Sequence, residues 1–96
     1  MSLSLVITHL PQAQRFETTV DGHTAYASYA LHGQVFRFMH TVVPPQLGGR
    51  GIGSALVKHV LDHAEQNGYT VDPQCSFVKV YIDRHPSYQA LSLAHR

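Results

Sequence analysis

The sequence predicts an α/β fold of the α+β kind, in which a mainly antiparallel sheet carries two helices. Apolar and polar residues alternate through Arg15–Val43 and are interrupted by turn-forming pairs, which is typical of a meander of strands. From Ile52 to Asn67 the apolar residues recur at helical spacing instead. A chain of 96 residues is long enough for one compact core and too short for two, so we expect a single domain over residues 1–96.

The N-terminal half is expected to form the meander. Its predicted strands are, in order, Leu5–Thr8, Arg15–Val20, His23–Leu31 and Gln34–Val43. Pro11–Gln14 is expected to be a loop. Asp21-Gly22 is the residue pair that a two-residue type I′ hairpin turn prefers, and His32-Gly33 offers a second turn. The strands joined by these turns should therefore run antiparallel.

The last strand of the meander should lie at the centre of the sheet. One face of it carries Phe36, Phe38, His40 and Val42, and the other carries Val35, Arg37, Met39, Thr41 and Val43. Both faces thus contain apolar residues, which favours a central position. Pro44-Pro45 then ends the strand, because proline has no amide hydrogen to donate to a ladder. The chain continues into a glycine-rich loop, Gln46–Gly51.

A helix is predicted over Ile52–Asn67, with an apolar stripe opposite its charged residues. Gly68 follows the last helical residue, a position that glycine favours because it adopts positive φ without strain. Tyr69–Val71 is a candidate for a short strand. A second helix is predicted over Pro73–Arg84, since Asp72 is suited to cap it and proline is suited to its first position.

The second helix and the tail complete the chain. The residues that this helix is expected to bury are Phe77, Val78, Tyr81 and Ile82. Pro86 should force the end of the helix. Ser87–Arg96 should form a docked turn followed by a frayed end.

Composition excludes several classes of function. The formal net charge is +1 and the seven Lys and Arg residues are scattered, so nucleic acid is not an expected partner. No apolar run reaches the roughly 18 residues that span a bilayer, and Met1–Leu10 lacks the features of a secretion signal. We therefore expect a cytoplasmic protein with no membrane partner. The single cysteine, Cys75, agrees with a reducing compartment.

The eight histidines do not predict a metal site, because they are spread along the chain without a shared ligand spacing. His59 and His63 are four residues apart on the predicted helix. The glutamate of the H-E-x-x-H motif is missing between them, and no third ligand is evident. No metal ligand is therefore assigned.

The glycine-rich loop is the strongest functional feature of the sequence. Gly48, Gly49, Gly51 and Gly53 lie between a strand and a helix, where a backbone without side chains can approach a ligand closely. The first amides of the following helix are unpaired and carry partial positive charge, so the turn is suited to an anion such as a diphosphate. A plain flexible connection is the alternative, but it seldom needs glycine at all these positions.

Two common phosphate-binding motifs do not match. The P-loop motif G-x-x-x-x-G-K-[ST] fits the spacing of Gly48 and Gly53, but Ser54-Ala55 stands where lysine and a hydroxyl residue are required. The dinucleotide fingerprint G-x-G-x-x-G fails because the third glycine comes one position early and a meander precedes the loop. Neither nucleotide hydrolysis nor dinucleotide chemistry is predicted.

The order of elements and the loop sequence together resemble the GNAT superfamily of acetyl-CoA-dependent N-acetyltransferases. Thr41–Pro45 followed by Gly49–Val57 is similar to its acetyl-CoA motif, Q/R-x-x-G-x-G/A, at the head of a helix. The segments that resemble minimal, single-domain members of the superfamily are Arg15–Glu17, His40-Thr41, Cys75–Phe77 and Arg84–Tyr88. The resemblance extends over most of the chain, from Val6 to Tyr88.

The resemblance implies a set of contacts with coenzyme A. The pantetheine arm would pair with Val42 and Val43, and the diphosphate would lie on the loop. The implied contacts in the loop are Gly48, Gly49, Arg50, Gly51, Ile52, Gly53 and Ser54. Two positions depart from the family pattern, since Gly48 replaces the usual Gln or Arg and Val42 replaces the acidic residue that usually follows His-Thr. The second departure removes an obvious candidate base.

His40 and Cys75 are the candidate catalytic residues. Histidine titrates near neutral pH, and His40 lies on the strand beside the expected cleft, but it shares a face with Phe36 and Phe38, so a structural histidine is the alternative. If Pro73 begins the second helix, Cys75 lies in its first turn, where the helix field favours a thiolate. Such a thiolate can accept the acyl group or lie beside the CoA thiol, and a plain buried cysteine is the alternative.

Residues near the end of the second helix complete the candidate site. Tyr81 and Tyr88 are suited to protonate a departing thiolate, although aromatic residues at helical spacing more often belong to a core. Arg84, with His85, can reach the adenosine end of coenzyme A if the helix ends nearby. Solvent-facing charge is the default for such a position.

The sequence therefore predicts acetyl transfer from acetyl-CoA to a primary amine through a ternary complex. The main alternative is a CoA-binding module with little or no turnover, and a third possibility is an interaction domain that binds no cofactor. A protein lysine, a polyamine and a small metabolite all suit the open cleft that a short chain implies. Neither the acceptor nor the oligomeric state follows from the sequence.

Overall fold

The computed structural model describes residues 5–95. The strands are β1 (Thr8–Leu10), β2 (Arg15–Val20), β3 (His23–His32), β4 (Val35–Val42) and β5 (Thr70–Pro73). The helices are α1 (Ile52–Gln66) and α2 (Ser76–Asp83), and short 3-10 turns lie at Pro11–Ala13, Pro45–Leu47, Pro86–Leu91 and Leu93–His95. The predicted α/β fold is confirmed, with meander, glycine loop, helix, short strand and helix in that order.

The five strands form one sheet in chain order, β1-β2-β3-β4-β5. The first four are antiparallel neighbours, and β5 pairs with β4 in parallel after the crossover through α1. The hairpin between β2 and β3 turns at Asp21 and Gly22, whose φ angles are 51° and 77°. Positive φ at both central residues is what the predicted type I′ turn requires.

The first strand is displaced from its predicted position. It covers Thr8–Leu10 instead of Leu5–Thr8, and its register places His9 opposite Phe16 of β2. Leu5 and Ile7 pack against the core from the segment before the strand, which accounts for the apolar pattern there. The prediction was wrong because the partner strand, and not local alternation, sets where pairing begins.

The fully buried strand residues lie on one face of the sheet, and both helices cover that face. The core cluster that joins the sheet to α1 and α2 includes Phe16, Phe36, Phe38, Val57, Leu61, Val78 and Ile82. On the opposite face, residues such as Glu17, Tyr26 and Arg37 remain partly exposed. Within residues 5–95 no helix covers that second face.

The C-terminal segment is docked as far as His95, so the predicted frayed end is wrong up to that residue. Ser92 is fully buried and bridges Val71 of β5. Its hydroxyl lies 2.7 Å from Nδ1 of His95, whose Nε2 lies 2.5 Å from Oδ1 of Asp83. A serine without exposed surface cannot reach a substrate, so this Ser-His-Asp chain fastens the tail to α2. Arg96 lies outside the described residues.

A cluster of rings joins β1 to α1. His9 stacks on Phe16 with ring centroids 4.0 Å apart, and its Nε2 lies 2.6 Å from the hydroxyl of Tyr29. The ring of His63 contacts that of His9 edge to face, with centroids 4.8 Å apart. The ring of His59 contacts that of Phe16 in the same way, with centroids 5.7 Å apart. Within residues 5–95 no group of three or more His, Cys, Asp or Glu side chains is placed to hold a metal ion. The paired histidines of α1 therefore belong to an aromatic contact.

We predict that the fold loses stability as the pH falls below about 6.5, the ordinary pKa of histidine. Burial, followed by the imidazoles of His63 and His59, lowers the pKa of His9, and burial followed by His59 lowers the pKa of His63. The folded state then binds fewer protons than the unfolded state, so the free energy of unfolding decreases as the pH falls from the unfolded pKa toward the lower folded one. Urea unfolding at a series of pH values measures this slope.

Two variants test whether the pH dependence of stability arises from this cluster of rings. His9→Gln should reduce the pH dependence, because the stacked imidazole then no longer titrates. His32→Gln, at the exposed end of β3, is the matched control and should leave the slope unchanged. A slope in His9→Gln equal to that of the parent protein would contradict the role given to the cluster.

Candidate functional site

β4 and β5 pair over only part of the length of β4. Their parallel register ends where Phe38 lies opposite Pro73. The carbonyl of Phe38 then accepts hydrogen bonds from the amides of Gln74 and Cys75, each at 3.0 Å. β4 continues to Val42 with β3 as its strand partner, so β4 and β5 separate at this level.

A bulge in β4 lies beside this opening. Phe38 is opposite Tyr29 of β3, whereas His40 is opposite Ser28, the next β3 residue. Two steps along β4 therefore match one step along β3, and Met39 is the extra residue. Beyond the bulge, each β4 side chain therefore points to the face opposite to the one that strict alternation from Phe38 would give.

The bulge corrects the predicted faces of β4. Thr41 lies opposite the buried Ala27 and so faces the helices, as does Val43, which packs in the core. His40 and Val42 point to the uncovered side of the sheet and are exposed. The prediction that His40 shares a face with the two buried phenylalanines of β4 was therefore wrong, because an inserted residue shifts the alternation by one.

The second helix begins later than predicted. Pro73 is the last residue of β5, and α2 starts at Ser76. The carboxylate of Asp72 does not cap a helix, since its Oδ2 lies 3.3 Å from Nε of Arg37 on the neighbouring strand. Parallel pairing with β4 therefore overrides the local preference of the Asp-Pro pair for a helix start.

Cys75 occupies the N-cap position of α2, with φ −81° and ψ 126°, instead of the first helical turn. Its thiol is half-buried, and Sγ lies 3.8 Å from Oγ1 of Thr41. This contact crosses the opening between the end of β4 and the start of α2. The structure thus brings Cys75 and Thr41 together, while His40 lies on the other side of the strand.

The loop after β4 leaves the first amides of α1 unpaired. Gly49 and Gly51 have φ of 77° and 76°, and nothing lies within 4 Å of the Cβ that either would carry. Gly51 is the N-cap of α1, and no side chain caps this helix. The amides of Ile52–Ser54 therefore have no acceptor within residues 5–95. With Val43 and Phe77, they border a hollow of about 240 Å³.

Gly53 allows a close contact between α1, α2 and β4. A Cβ at this position would lie 3.1 Å from Cζ of Phe77 and 3.3 Å from Cγ2 of Val43, closer than packed carbon atoms normally approach. Phe77 itself is 43% exposed, so its predicted burial was wrong. The ring instead forms a wall of the hollow beside the loop.

Arg50 directs its side chain away from this hollow. Its Nη1 lies 2.7 Å from Oδ2 of Asp21, in the turn between β2 and β3. Both side chains are exposed, so the ion pair contributes little to stability. The ion pair does connect the loop to the β2–β3 hairpin. On the other side, Gly48 joins the loop to the 3-10 turn that contains the buried Leu47. The side chain of Arg50 is therefore not among the residues that line the hollow.

A second hollow of about 400 Å³ lies along α2 and meets α1 at Ser54, and we call it the groove between the helices. Its lining residues are Ser54, Ser76, Phe77, Val80, Tyr81, Arg84 and His85. Ser54 and Phe77 also line the hollow at the loop, so the two form one continuous surface. Arg84 and His85 lie at the end of this surface farthest from the loop along α2.

The two tyrosines weighed as proton donors have different surroundings. Tyr81 lines the groove between the helices and stacks on His85 with centroids 3.9 Å apart, and burial raises its pKa. Tyr88 is buried, and its hydroxyl donates to Oδ1 of Asp62 at 2.6 Å. Burial and this hydrogen bond raise the pKa of Tyr88 to about 12. Tyr88 therefore keeps its proton at neutral pH and ties the C-terminal segment to α1.

The sequence profile of the GCN5-related N-acetyl-transferase family matches residues 15–91. The chain belongs to this family. It is also similar to a GCN5-like candidate N-acetyltransferase from Staphylococcus aureus, whose solution structure gives a TM-score of 0.74. The two sequences are 30% identical, and the match covers 93% of this chain and 88% of the other.

Family membership confirms the resemblance drawn from the sequence and identifies the chain as an N-acetyltransferase by family. The matched span contains the glycine loop, the bulged end of β4 and both helices. Two residues beside the opening and the loop were not predicted from the sequence. Thr41 faces the helices because of the bulge, and Phe77 was predicted to lie in the core. Within residues 5–95 no helix has the length and apolar character needed to cross a membrane.

We predict that Gly53→Ala destabilises the fold by about 1–3 kcal/mol, because the added methyl group overpacks the contact with Phe77 and Val43. Denaturant unfolding measures the loss. Ser54→Ala, the next and exposed position of α1, is the control and should change the free energy of unfolding by less than about 0.5 kcal/mol. If the cost of Gly53→Ala is the same in a Phe77→Leu background, the loss does not arise from this contact.

Proposed function

We propose that the chain binds acetyl-CoA along the loop and the opening beside β4, and transfers the acetyl group to a primary amine. The observation that carries this proposal is the uncapped start of α1 at the level where β4 leaves β5. Unpaired amides and the helix field both favour an anion at that point. Membership of an acetyltransferase family supports acetyl-CoA as the ligand.

The parts of the cofactor suit different parts of the surface. The diphosphate is expected on the amides of Gly49–Ser54, in the hollow bordered by Phe77. The pantetheine arm is expected beside Val42 and Val43, where the edge of the chain facing away from β3 has no strand partner within residues 5–95. The adenosine end then lies in the groove between the helices, where the guanidinium of Arg84 can contact a phosphate.

The chemistry requires few side chains. The amine nitrogen forms a bond to the thioester carbonyl carbon, the carbon–sulfur bond then breaks, and sulfur leaves as a thiolate that takes up a proton. An amide of the chain near Val42 or Val43 is the expected donor to the carbonyl oxygen. Cys75, in contact with Thr41, lies where it can form a wall beside the CoA thiol.

His40 is the proposed acceptor of the amine proton. It is exposed on the side of the sheet that neither helix covers, and it lies two residues beyond the last β4 position paired with β5. An amine that approaches from this side can lose its proton to the imidazole or to water. A protein lysine, a polyamine and a small metabolite all remain suitable acceptors.

A CoA-binding protein with little turnover is the second candidate function. The observation in its favour is Val42, an apolar and 39% exposed side chain at the position where the family resemblance implies an acidic residue. The register places Glu17 across β3 from Val42 on the same face, and its carboxylate is already paired with Arg15. Acetyl-CoA binding without amine-dependent thiol release would favour this candidate over catalysis.

We predict that Gly51→Glu weakens acetyl-CoA binding by about a hundredfold or more, because it places a negative charge at the diphosphate position. Isothermal titration calorimetry measures the dissociation constant. Gly22→Glu is the matched control, since Gly22 has φ of 77° against 76° for Gly51 and neither would place a Cβ within 4 Å of another atom. Equal affinity in the two variants would refute the proposed position of the diphosphate.

We predict that His40→Gln lowers kcat/KM for amine acetylation by about 10²-fold or more near neutral pH, without changing the affinity for acetyl-CoA. A thiol-release assay over a range of pH measures the effect. Cys75→Ser should retain most of the activity, since the proposed transfer is direct. Loss of turnover in Cys75→Ser with unchanged rates in His40→Gln would instead indicate an acetyl-cysteine intermediate.

A further inference from the structure

A third hollow lies at the opposite end of α1 from the glycine loop. Its volume is about 180 Å³, and five rings form its walls: His9, Tyr29, Phe36, His63 and Tyr69. We call it the ring pocket. His63 is eleven positions after the first residue of α1, so the ring pocket is roughly 17 Å along the helix from the proposed diphosphate position. It shares no lining residue with the loop hollow or the groove between the helices.

The walls of the ring pocket are fixed by contacts with one another. Tyr29 stacks on Phe36 with centroids 4.2 Å apart and an interplanar angle of 25°. The ring centroids of Tyr69 and Phe36 are 6.1 Å apart, with an interplanar angle of 34°. At the base, the hydroxyl of Tyr29 and Nε2 of His9 are 2.6 Å apart, so these two polar groups already have each other as partners. The ring pocket therefore has a defined shape without a ligand.

The side-chain polar groups of His63 and Tyr69 on the wall have no protein partner within residues 5–95. Within residues 5–95, neither the imidazole of His63 nor the hydroxyl of Tyr69 makes a hydrogen bond to another residue, and both side chains are half-buried. Burial lowers the pKa of His63, which favours the neutral ring. Lys, Arg, Asp and Glu are all absent from the lining of the ring pocket. Such a site offers stacking surfaces and hydrogen bonds but no countercharge.

We propose that the ring pocket binds one uncharged aromatic ring that carries a hydroxyl or amide group. The size fits, because an apolar cavity of about 150 Å³ is sufficient to hold benzene. The ring of the ligand packs against the exposed side chains of Pro11 and Leu31, and its polar substituent bonds to His63 and to the hydroxyl of Tyr69. Binding here does not depend on the acetyltransferase proposal, since the two sites share no residue.

Phenol is the probe that tests the proposal, with ¹H–¹⁵N NMR spectra recorded during its titration. We expect saturable shifts of the amides around the ring pocket, at Gln14, Leu31 and Tyr69, with a millimolar dissociation constant. Absence of saturable shifts at these amides, or shifts confined to the groove of Phe77 and Val80, would overturn the proposal. Acetyl-CoA should produce a separate set of shifts.

Variants locate the site. Leu31 lies on the rim of the ring pocket and is 38% exposed, so Leu31→Trp should block phenol without disturbing the core. Leu93→Trp is the matched control, because Leu93 is 43% exposed and lies outside the lining. Tyr69→Phe should weaken phenol binding by about fivefold and leave toluene binding unchanged. Unchanged phenol affinity in Leu31→Trp would show that the ring binds elsewhere.

Discussion

The early end of pairing between β4 and β5 is the constraint on which the candidate site depends. The carbonyl of Phe38 accepts hydrogen bonds from the amides of Gln74 and Cys75, the two residues that follow β5. The pairing of β5 with β4 ends there. The last residues of β4 are left with one free edge, and α2 begins beside them. The bulge at the same level turns Thr41 inward, where it meets Cys75. The opening and the position of the cysteine thus follow from the end of the β4–β5 pairing, and the inward threonine follows from the bulge between β4 and β3.

The glycine loop is positioned by side chains and leaves its main chain available. Arg50 holds it to the β2–β3 turn, and the fit of Gly53 against Phe77 fixes the start of α1. Gly49 and Gly51 supply the positive φ angles that direct the chain into the helix without a capping side chain. These contacts position the turn whose amides we propose to bind the diphosphate, beside the opening where we propose direct transfer from the thioester.

The sequence predicted the ends of elements correctly where neighbouring residues determine them. It did not do so where residues far away in sequence determine them. The Asp-Gly turn and the start of α1 follow from short-range preferences, and both were correct. The predicted start of α2 was wrong because Thr70–Pro73 pairs with β4, which is far away in sequence. The predicted orientation of His40 was wrong because the bulge inserts one residue into β4, and no local sequence pattern reveals that insertion. The sequence singled out the loop and placed Arg84 near it only on the condition that the second helix ends nearby, whereas the contact of Thr41 with Cys75 required the structure.

The amide chemical shifts of the loop on addition of acetyl-CoA test the central claim most directly. We expect the amide protons of Ile52–Ser54 to move downfield in a saturable manner, because they gain charge-assisted hydrogen bonds to the diphosphate. Gly22 and Gly33, which have positive φ in hairpin turns, should keep their positions in the spectrum. Saturable shifts elsewhere in the chain, with the amides at the start of α1 unchanged, would contradict the proposed site.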